Sequence, residues 1–325
     1  MKEIGGYIEF EHYHGHMLHE DGIRLNCGRN CLAYLIRTKN IKKLAIPYYM
    51  CDSVFDLCSN YDVQMRFYHV DASLRPAQTE PEEDEWMYLM SYYGQLSTEE
   101  LESMTAHYRN IIIDFSQDYF HDPVPGANCL YTCRKFFGVP DGAVLYTDGK
   151  EEKVLKLEKD VSYEHMRYLL GRFERGASEF YQESAQNNER FGQEPVLYMS
   201  GLTENILRSL DYGWIRKRRT ENFTYLHRHL GSTNRLSLRI PDGAFSYPYL
   251  TEDAAELRKF LISRKIFVPV LWPNVIEELA EDTTEHYLAD HILPIPCDQR
   301  YNTEDMEYIL QLIQEFRAAK QQSAY

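Results

Sequence analysis

Several short apolar runs in the first half of the chain are continuous rather than alternating, and they restrict the possible folds more than any other feature. The clearest is Ile111-Ile112-Ile113, which ends at Asp114. Continuous runs of this length are typical of strands covered on both faces, because a strand with one wet face shows alternation instead. They favour a layered α/β arrangement, in which helices cover a mostly parallel sheet.

Further strand-like segments occur along the first half of the chain. They occupy residues 42–49, 63–70, 86–91 and 143–147. Between two of them, Ser97 and Glu100 have the spacing of a capping box, which predicts that a helix begins there. The order strand, helix, strand is typical of an α/β domain.

The middle of the chain has helical apolar spacing. From about residue 161 to 191, Leu170 and Phe173 are among the apolar positions that share one stripe. Another helical stretch begins near Leu202 and reaches residues 216–219 (RKRR). This spacing predicts amphipathic helices, and we interpret the basic cluster as a solvated helix face.

The last hundred residues differ in character. Two short apolar segments, residues 235–240 and 266–272, alternate with amphipathic helical patterns, which indicates strands in a smaller α+β unit. We therefore expect a large α/β domain over residues 1–190, followed by connecting helices and a small C-terminal α+β domain over residues 191–325.

Charge and composition argue against several classes of function. The chain has 325 residues with 35 basic and 50 acidic side chains, a formal net charge of −15 that repels a nucleic-acid backbone. No apolar run approaches the roughly 18 residues of a membrane span, and the first residues lack the apolar stretch of a signal peptide. Together with an odd count of seven cysteines, these features predict a cytoplasmic protein with reduced thiols.

The segment from Cys129 to Gly142 (CLYTCRKFFGVPDG) places Lys135 after a short strand-like run and before a turn. Such a lysine would lie near the carboxyl edge of a sheet, where α/β domains place ligands. Partial burial lowers the pKa of a lysine and frees its amine to attack carbonyls. Taken alone, Lys135 is better interpreted as an ordinary solvated lysine, because most lysines are solvated.

A second candidate is Asp114, at the end of the buried run and three residues before Gln117. An acid at the end of a buried strand is costly unless it meets a cation or several donors. A protonated pyridine nitrogen would be such a cation. A helix N-cap aspartate is the alternative interpretation.

A third candidate is the turn Gly28-Arg29-Asn30, which precedes a helix-like run. Helix N-terminal amides bind phosphate through their N–H groups and the helix dipole. One glycine is a weak signal, and an ordinary turn is the alternative.

In this order, the three segments resemble the fold-type I pyridoxal-phosphate enzymes, and among them the DegT/DnrJ/EryC1/StrS aminotransferase family. The spacing from the Asp114-x-x-Gln117 pair to Lys135 is the most specific part of the resemblance. Residues 46–49, 67–71, 265–273 and 292–296 also resemble this family. The resemblance implies a large domain with a mostly parallel sheet, a small C-terminal domain, and a homodimer with its active site near the subunit boundary.

The resemblance also implies a role for each matching residue. Lys135 would form the internal aldimine with pyridoxal 5'-phosphate, and Asp114 would pair with the pyridinium nitrogen. Gln117 would lie near the ring hydroxyl. The remaining contacts would come from Gly28, Arg29, Asn30 and Thr132 at the phosphate and from Tyr49 over the ring face.

The implied reaction moves an amino group from an amino acid donor, glutamate or glutamine, to a keto acceptor, a nucleotide-linked keto sugar. Two alternatives stay open. One is a pyridoxal-phosphate sugar dehydratase or lyase; in related dehydratases a histidine replaces the lysine, so Lys135 disfavours that version. The other is a catalytically degenerate family member that acts as a binding or regulatory protein.

Two other clusters were weighed as metal sites, and we expect no metal at either. The first comprises Cys27, Cys31, Cys129 and Cys133. Because structural zinc pairs usually have a tighter spacing, we interpret these cysteines as small buried residues. The second comprises His12, His14, His16 and His19. It lacks an acidic partner at suitable spacing, which favours an exposed histidine-rich segment.

Overall fold

A seven-stranded sheet forms the centre of the computed structural model, which describes residues 4–77, 79–148 and 156–323. In chain order its strands are β1 (Ile23–Leu25), β2 (Lys43–Pro47), β3 (Gln64–Tyr68), β4 (Trp86–Met90), β5 (Ile111–Asp114), β6 (Asn128–Thr132) and β7 (Ala143–Tyr146). Across the sheet the order is β1-β7-β6-β5-β4-β2-β3. Strands β2 to β6 pair in parallel, whereas β7 is antiparallel to both of its neighbours. The predicted α/β fold with a mostly parallel sheet is confirmed.

Helices connect and cover these strands. Those of the first half are α1 (Gly28–Thr38), α2 (Asp52–Asn60) and α3 (Thr98–His107). The predicted capping box at the start of α3 is confirmed: Ser97 Oγ accepts from the N–H of Glu100 at 3.2 Å, and Glu100 Oε2 accepts from the N–H of Ser97 at 2.8 Å. The continuous apolar strands are buried, β4 and β5 at nearly every position, which is typical of strands covered on both faces of a sheet.

The helical stretch predicted from residue 161 to 191 is broken into two helices, α4 (Arg167–Glu174) and α5 (Tyr181–Arg190). The ring of Phe180 packs directly over Gly171, leaving no room for a Cβ atom there, so the chain folds back on itself. The predicted apolar stripe does not face the core of this chain: Leu170 is 57% exposed and Phe173 is 91% exposed.

The remaining helices are α6 (Gly201–Leu207), α7 (Tyr212–Leu230), α8 (Ala254–Ser263), α9 (Pro273–Glu278), α10 (Thr284–His291) and α11 (Thr303–Ser323). The interpretation of residues 216–219 as a solvated face is wrong at Arg219, which is only 1% exposed. Arg219 lies one helical turn after the buried Ile215 and one turn before the buried Phe223, on the inward face of α7.

A second, two-stranded sheet lies in the C-terminal part of the chain. It pairs β8 (Tyr247–Leu250) with β9 (Ile292–Ile295) in antiparallel fashion. The strands predicted at residues 235–240 and 266–272 are wrong, since both segments lack regular secondary structure. Residues of α7, α8 and α11 form a second hydrophobic cluster around this sheet, and the division of the chain at residue 190 stays a prediction.

Among the described residues, no helix combines the length and the apolar character needed to cross a membrane.

Candidate active site

Lys135 lies in the tight turn that follows β6. The carbonyl oxygen of Cys133 accepts hydrogen bonds from the N–H groups of Phe136 (3.0 Å) and Phe137 (2.9 Å), which closes the turn. The side chain of Lys135 is exposed, and its Nζ donates to the hydroxyl of Ser116 at 3.1 Å. The amine therefore stands at the carboxyl edge of the parallel strands, where α/β domains bind ligands.

Asp114 ends β5, the strand beside β6, and its carboxylate is buried and oriented by two donors. The phenol of Tyr88, on β4, donates to Oδ2 at 2.7 Å, and the N–H of Ser116 donates to Oδ1 at 2.7 Å. Burial, with the charge of Asp114 as a second cause, raises the pKa of Tyr88 well above its ordinary value. Tyr88 therefore keeps its proton and stays a donor to the carboxylate.

Ser116 links the predicted lysine and the predicted acid, because its hydroxyl accepts from Lys135 and its N–H donates to Asp114. Neither Ser116 nor Tyr88 was predicted from the sequence as a site residue. For both residues, the sequence contains a feature that could have predicted this position. Ser116 lies inside the segment between Asp114 and Gln117, and a tyrosine in a buried strand needs a hydrogen-bond partner for its hydroxyl.

The glycine turn and Thr132 are also brought together. Gly28 is the first residue of α1, and a Cβ atom at this position would lie 3.7 Å from Cβ of Thr132, the last residue of β6. Cys27, the residue before the helix, makes no side-chain cap. The first N–H groups of α1 have no acceptor within the helix, so this end of α1 can bind an anion beside the Thr132 hydroxyl.

The two residues after Gly28 make contacts within the protein. Arg29 Nη2 donates to the carbonyl oxygen of Asn188 at 3.1 Å. Asn30 is buried, and its Nδ2 donates to Oδ1 of Asn26 (2.8 Å) and to the carbonyl oxygen of Pro195 (2.9 Å). Both side-chain amide protons of Asn30 are therefore used inside the protein.

Arg134 is a further cation near this turn that the sequence analysis did not assign. Its Nη2 donates to Oδ1 of Asn188, the residue whose carbonyl oxygen binds Arg29. Its guanidinium carbon lies 4.5 Å from the ring centroid of Phe191, and burial lowers its pKa. Its Nε is buried and has no hydrogen-bond partner within the described residues. Arg29 and Arg134 thus supply positive charge where an anion would bind.

Tyr49 follows β2 and is completely buried among aromatic rings. Its ring centroid lies 4.5 Å from that of Trp272 in an edge-to-face arrangement and 5.2 Å from that of Tyr92. Its carbonyl oxygen accepts from the Tyr92 hydroxyl at 2.7 Å. Trp272, which comes from the C-terminal part of the chain, was not assigned to the site, although it lies in a segment that contributes to the family resemblance.

Gln117 is held by a strained residue. Its Oε1 accepts from the N–H of Tyr93 at 2.9 Å, and Tyr93 has a positive φ of 52°. Non-glycine residues in this conformation cost about 1 to 3 kcal/mol and cluster at functional sites. Phe245 lies on the same side, with its ring centroid 6.5 Å from the ring of Tyr93 and 5.9 Å from Nζ of Lys135.

The four cysteines weighed as a metal site are buried free thiols, as the sequence analysis interpreted them. The described residues contain no group of three or more histidine, cysteine, aspartate or glutamate side chains suited to a metal ion. The interpretation of the histidine segment as exposed is wrong at His19, which is buried and stacks on Tyr131 with ring centroids 4.1 Å apart. Burial lowers the pKa of His19.

One edge of the sheet therefore carries three kinds of chemistry. Lys135 offers an amine that can react with a carbonyl group. Asp114 offers an oriented carboxylate that can face a cation, and the start of α1 offers donors for an anion.

Several solved structures have the same fold as this chain. An aminotransferase, TlmJ, from Streptoalloteichus hindustanus is 13% identical to this chain, with a TM-score of 0.64. The match covers 91% of this chain and 86% of TlmJ. A DegT DnrJ EryC1 StrS aminotransferase from Brucella abortus is 14% identical, with a TM-score of 0.58, and the match covers 90% of this chain and 85% of the aminotransferase. A GDP-4-keto-6-deoxy-D-mannose-3-dehydratase from E. coli with bound hydrated PLP is 12% identical, with a TM-score of 0.60, and the match covers 90% of this chain and 87% of the dehydratase.

No family model matches the chain, and no curated protein matches its sequence. At these identities the similarity shows the fold alone. The chain has the fold of the DegT/DnrJ/EryC1/StrS aminotransferases, and this part of the sequence prediction is confirmed.

Proposed function

We propose that this protein is a pyridoxal-phosphate-dependent aminotransferase that acts on a sugar. The observation that carries the proposal is the link between the Lys135 amine and the Asp114 carboxylate through Ser116. The fold supports it, because the three neighbours named above are two aminotransferases and a pyridoxal-phosphate-containing sugar dehydratase.

The residues present fit pyridoxal phosphate at three points. Its phosphate is matched by the start of α1 at Gly28, by Thr132 and by the positive charges of Arg29 and Arg134. The orphaned Nε of Arg134 gives this end an unused buried donor. Its ring nitrogen is matched by a carboxylate, Asp114, and its aldehyde by the Lys135 amine.

When bound, pyridoxal phosphate supplies an aldehyde that condenses with an amine by loss of water, and a ring that accepts electrons from the carbon next to that nitrogen. Asp114 favours a protonated ring nitrogen by placing a negative charge beside it. Tyr88 and the N–H of Ser116 hold the carboxylate in one orientation for this task.

Lys135 has a second role as the group that moves a proton. When a substrate amine takes its place, Nζ is free to accept a proton from the substrate carbon and to return it elsewhere. The hydroxyl of Ser116, 3.1 Å from Nζ, keeps the freed amine near the reacting atoms. We further propose that Gln117 contacts the ring hydroxyl, that the backbone N–H of Asn30 contacts the phosphate, and that Tyr49 packs near the ring.

The substrates in this proposal are an amino acid donor, glutamate or glutamine, and a keto acceptor, a nucleotide-linked keto sugar. They follow from the resemblance to the aminotransferase family. We also propose that the protein acts as a homodimer, which sedimentation of the purified protein will test.

The central test is covalent capture. Purified protein mixed with pyridoxal phosphate should turn yellow, and borohydride should fix one cofactor to Lys135, as read by peptide mass spectrometry. Lys135→Ala should abolish capture, whereas Lys217→Ala, which removes a solvent-exposed lysine on α7, should leave it unchanged. Absence of any adduct on the wild-type protein would contradict the proposal and favour a binding or regulatory protein.

A dehydratase or lyase is the second candidate, because one of the structural neighbours is a sugar dehydratase. The two activities differ in their use of an amino donor. For the aminotransferase, glutamate or glutamine should convert the bound cofactor to pyridoxamine phosphate and release the keto acid. If the protein binds the cofactor but no amino acid reacts in this way, the dehydratase or lyase is favoured.

A further inference from the structure

Arg219 is a completely buried cation that contacts the turn carrying Lys135. It lies on the inward face of α7, and its Nη2 donates to the carbonyl oxygen of Phe136, the residue after Lys135, at 3.0 Å. Its Nη1 donates to the carbonyl oxygen of Ala244 at 2.8 Å, and its Nε donates to Oε1 of Gln299 at 2.6 Å. The guanidinium thus joins the lysine turn to two segments of the C-terminal part.

Gln299 completes this contact from the other side. Its Nε2 donates to the same carbonyl oxygen of Phe136 at 2.8 Å, while its Oε1 accepts from Arg219. One carbonyl oxygen therefore receives two hydrogen bonds, and the donors bind each other. The guanidinium carbon of Arg219 also lies 4.5 Å from the ring centroid of Phe136. Arg219 therefore contacts both the backbone carbonyl and the side-chain ring of Phe136.

Burying this charge is expensive. Burial lowers the pKa of Arg219 to about 10, and the charge of Asp298 only partly opposes that shift. The carboxylate of Asp298 is itself bound by Arg300, with Nε 2.7 Å from Oδ1. A buried guanidinium whose nearest acid is already paired is a poor source of stability, which points to a role in fixing one conformation.

The fixed carbonyl belongs to the residue that follows Lys135 in the chain. The N–H groups of Phe136 and Phe137 both donate to Cys133, so the turn has hydrogen bonds inside the loop as well as from Arg219 and Gln299. Lys135 stands between these two sets of contacts. The N–H of Phe136 holds the peptide between Lys135 and Phe136, and the two bonds to the Phe136 carbonyl hold the next peptide, between Phe136 and Phe137. Together they restrict the backbone rotations that would swing the side chain of Lys135 away from Ser116.

We propose that Arg219 and Gln299 are positioning residues for Lys135. By holding the Phe136 carbonyl they keep the lysine amine aimed at the carbonyl group with which it reacts. This inference rests on the proposed function. It also makes the amine depend on the C-terminal segments that hold Ala244 and Gln299, since a shift of those segments would be carried to the lysine turn.

The experiment compares covalent with non-covalent binding. Pyridoxal phosphate probes the amine, through the rate of the borohydride-reducible adduct at Lys135. Pyridoxamine phosphate has no aldehyde, so its Kd reports on the rest of the site. Arg219→Met and Gln299→Met should each lower the adduct rate about tenfold, because small misplacements of a reacting group are costly. The Kd for pyridoxamine phosphate should change less than about twofold.

Two further variants control for folding and for chemistry. Arg258→Met removes another partly buried arginine that donates to backbone carbonyls, those of Asp290 and Ile292, away from the lysine turn. It should leave both measurements at the wild-type level. Gln299→Glu keeps the acceptor for Arg219 but loses the donor to Phe136, and should fall between Gln299→Met and wild type. Gln299 is only partly buried, so its variants stay informative if Arg219→Met does not fold.

The outcomes separate the two proposals. A wild-type protein that forms no adduct overturns the proposed function and the inference with it. A normal wild type together with normal adduct rates in the Arg219 and Gln299 variants overturns the inference alone. Equal losses in adduct rate and in pyridoxamine phosphate binding would also overturn it, because they would show a general loss of structure.

Discussion

The amine of Lys135 donates to the hydroxyl of Ser116 at 3.1 Å, on the residue whose N–H orients the carboxylate of Asp114. The lysine, in the turn after β6, and the acid, at the end of the neighbouring strand β5, thus meet at one short segment. This geometry couples the position of the nucleophile to that of the charge, and it makes Ser116 a sensitive point at which to test the site.

Replacing Ser116 with alanine removes the acceptor for the Lys135 amine but leaves the backbone N–H that binds Asp114. We expect the rate of covalent capture of pyridoxal phosphate to fall about tenfold, because the amine is no longer aimed. Ser116→Thr keeps a hydroxyl and should retain most of the rate. Borohydride trapping at timed intervals measures both variants; equal rates for alanine and threonine would show that the hydroxyl does not orient the amine.

The role of the Asp114 carboxylate can be tested by removing its charge and by removing the hydrogen bond that it accepts from Tyr88. Asp114→Asn keeps the shape of the side chain but loses the charge that would stabilise a protonated ring. We expect the reaction with an amino donor to slow by about 10²-fold or more, while cofactor binding changes far less. Tyr88→Phe removes one hydrogen bond to the carboxylate and should slow the reaction about fivefold, in line with about 1 kcal/mol.

Single-turnover absorbance changes with glutamate give both rates, and equilibrium dialysis gives cofactor binding. If Asp114→Asn reacts as fast as wild type, another acid faces the ring.

The central strands could be predicted because their signal is local. The run 111–113 is continuous, which is typical of a strand covered on both faces, and every residue of β5 is buried. The C-terminal strands carried a misleading signal. Strands β8 and β9 both contain proline, and Pro248 pairs with Pro294, so a pattern that treats proline as a strand breaker passes over them. A two-stranded sheet accepts these prolines because both of its strands are edges.

The site was predicted where covalent and charge chemistry sets residue types, at Lys135 and Asp114, and missed where tertiary packing sets them. Residues 216–219 read as a solvated cluster, yet Arg219 is buried. Its helical spacing from Ile215 and Phe223 could have placed it on the inward face. The partners of its side chain, Phe136 and Gln299, are distant in the sequence. No local sequence pattern predicts that these residues contact Arg219.

The turn after the lysine depends on Gly142, whose φ is +112°. A Cβ atom there would lie 2.9 Å from Cγ2 of Thr203 and 3.3 Å from Cβ of Cys133. Gly142→Ala should therefore lower the free energy of unfolding by about 1 to 3 kcal/mol, through strain and overlap. Gly138 lies in the same turn without a positive φ, and a Cβ atom there would meet nothing within 4 Å.

Gly138→Ala should accordingly be near neutral, and urea unfolding of the two variants side by side makes the comparison. Equal stabilities would mean that the turn can relax around the added methyl group.

Asp118 and its neighbour Asp242 have pKa values shifted in opposite directions, so the two carboxyl groups give the fold opposite dependences on pH. Burial, with the charge of Asp242 as a smaller cause, raises the pKa of Asp118 to about 6, although His121, Arg239 and a hydrogen bond from Ser91 favour its charged form. A raised carboxyl pKa means that the folded state binds the proton more tightly than the unfolded chain does. Its contribution to stability is therefore complete below the ordinary pKa of 3.8 and is lost as the pH rises through about 6.

Asp118→Asn resembles the protonated acid at every pH. Relative to wild type, it should gain stability between about pH 4 and about pH 8, by at most about 3 kcal/mol, since each unit of pKa shift corresponds to about 1.4 kcal/mol. Asp242→Asn is the matched control with the opposite sign. Arg216 lowers the pKa of Asp242, so its charge stabilises the fold above its ordinary pKa and its removal should cost stability at about pH 8. Urea unfolding at both pH values measures each difference, and a pH-independent difference between Asp118→Asn and wild type would show that Asp118 is ionised throughout this range.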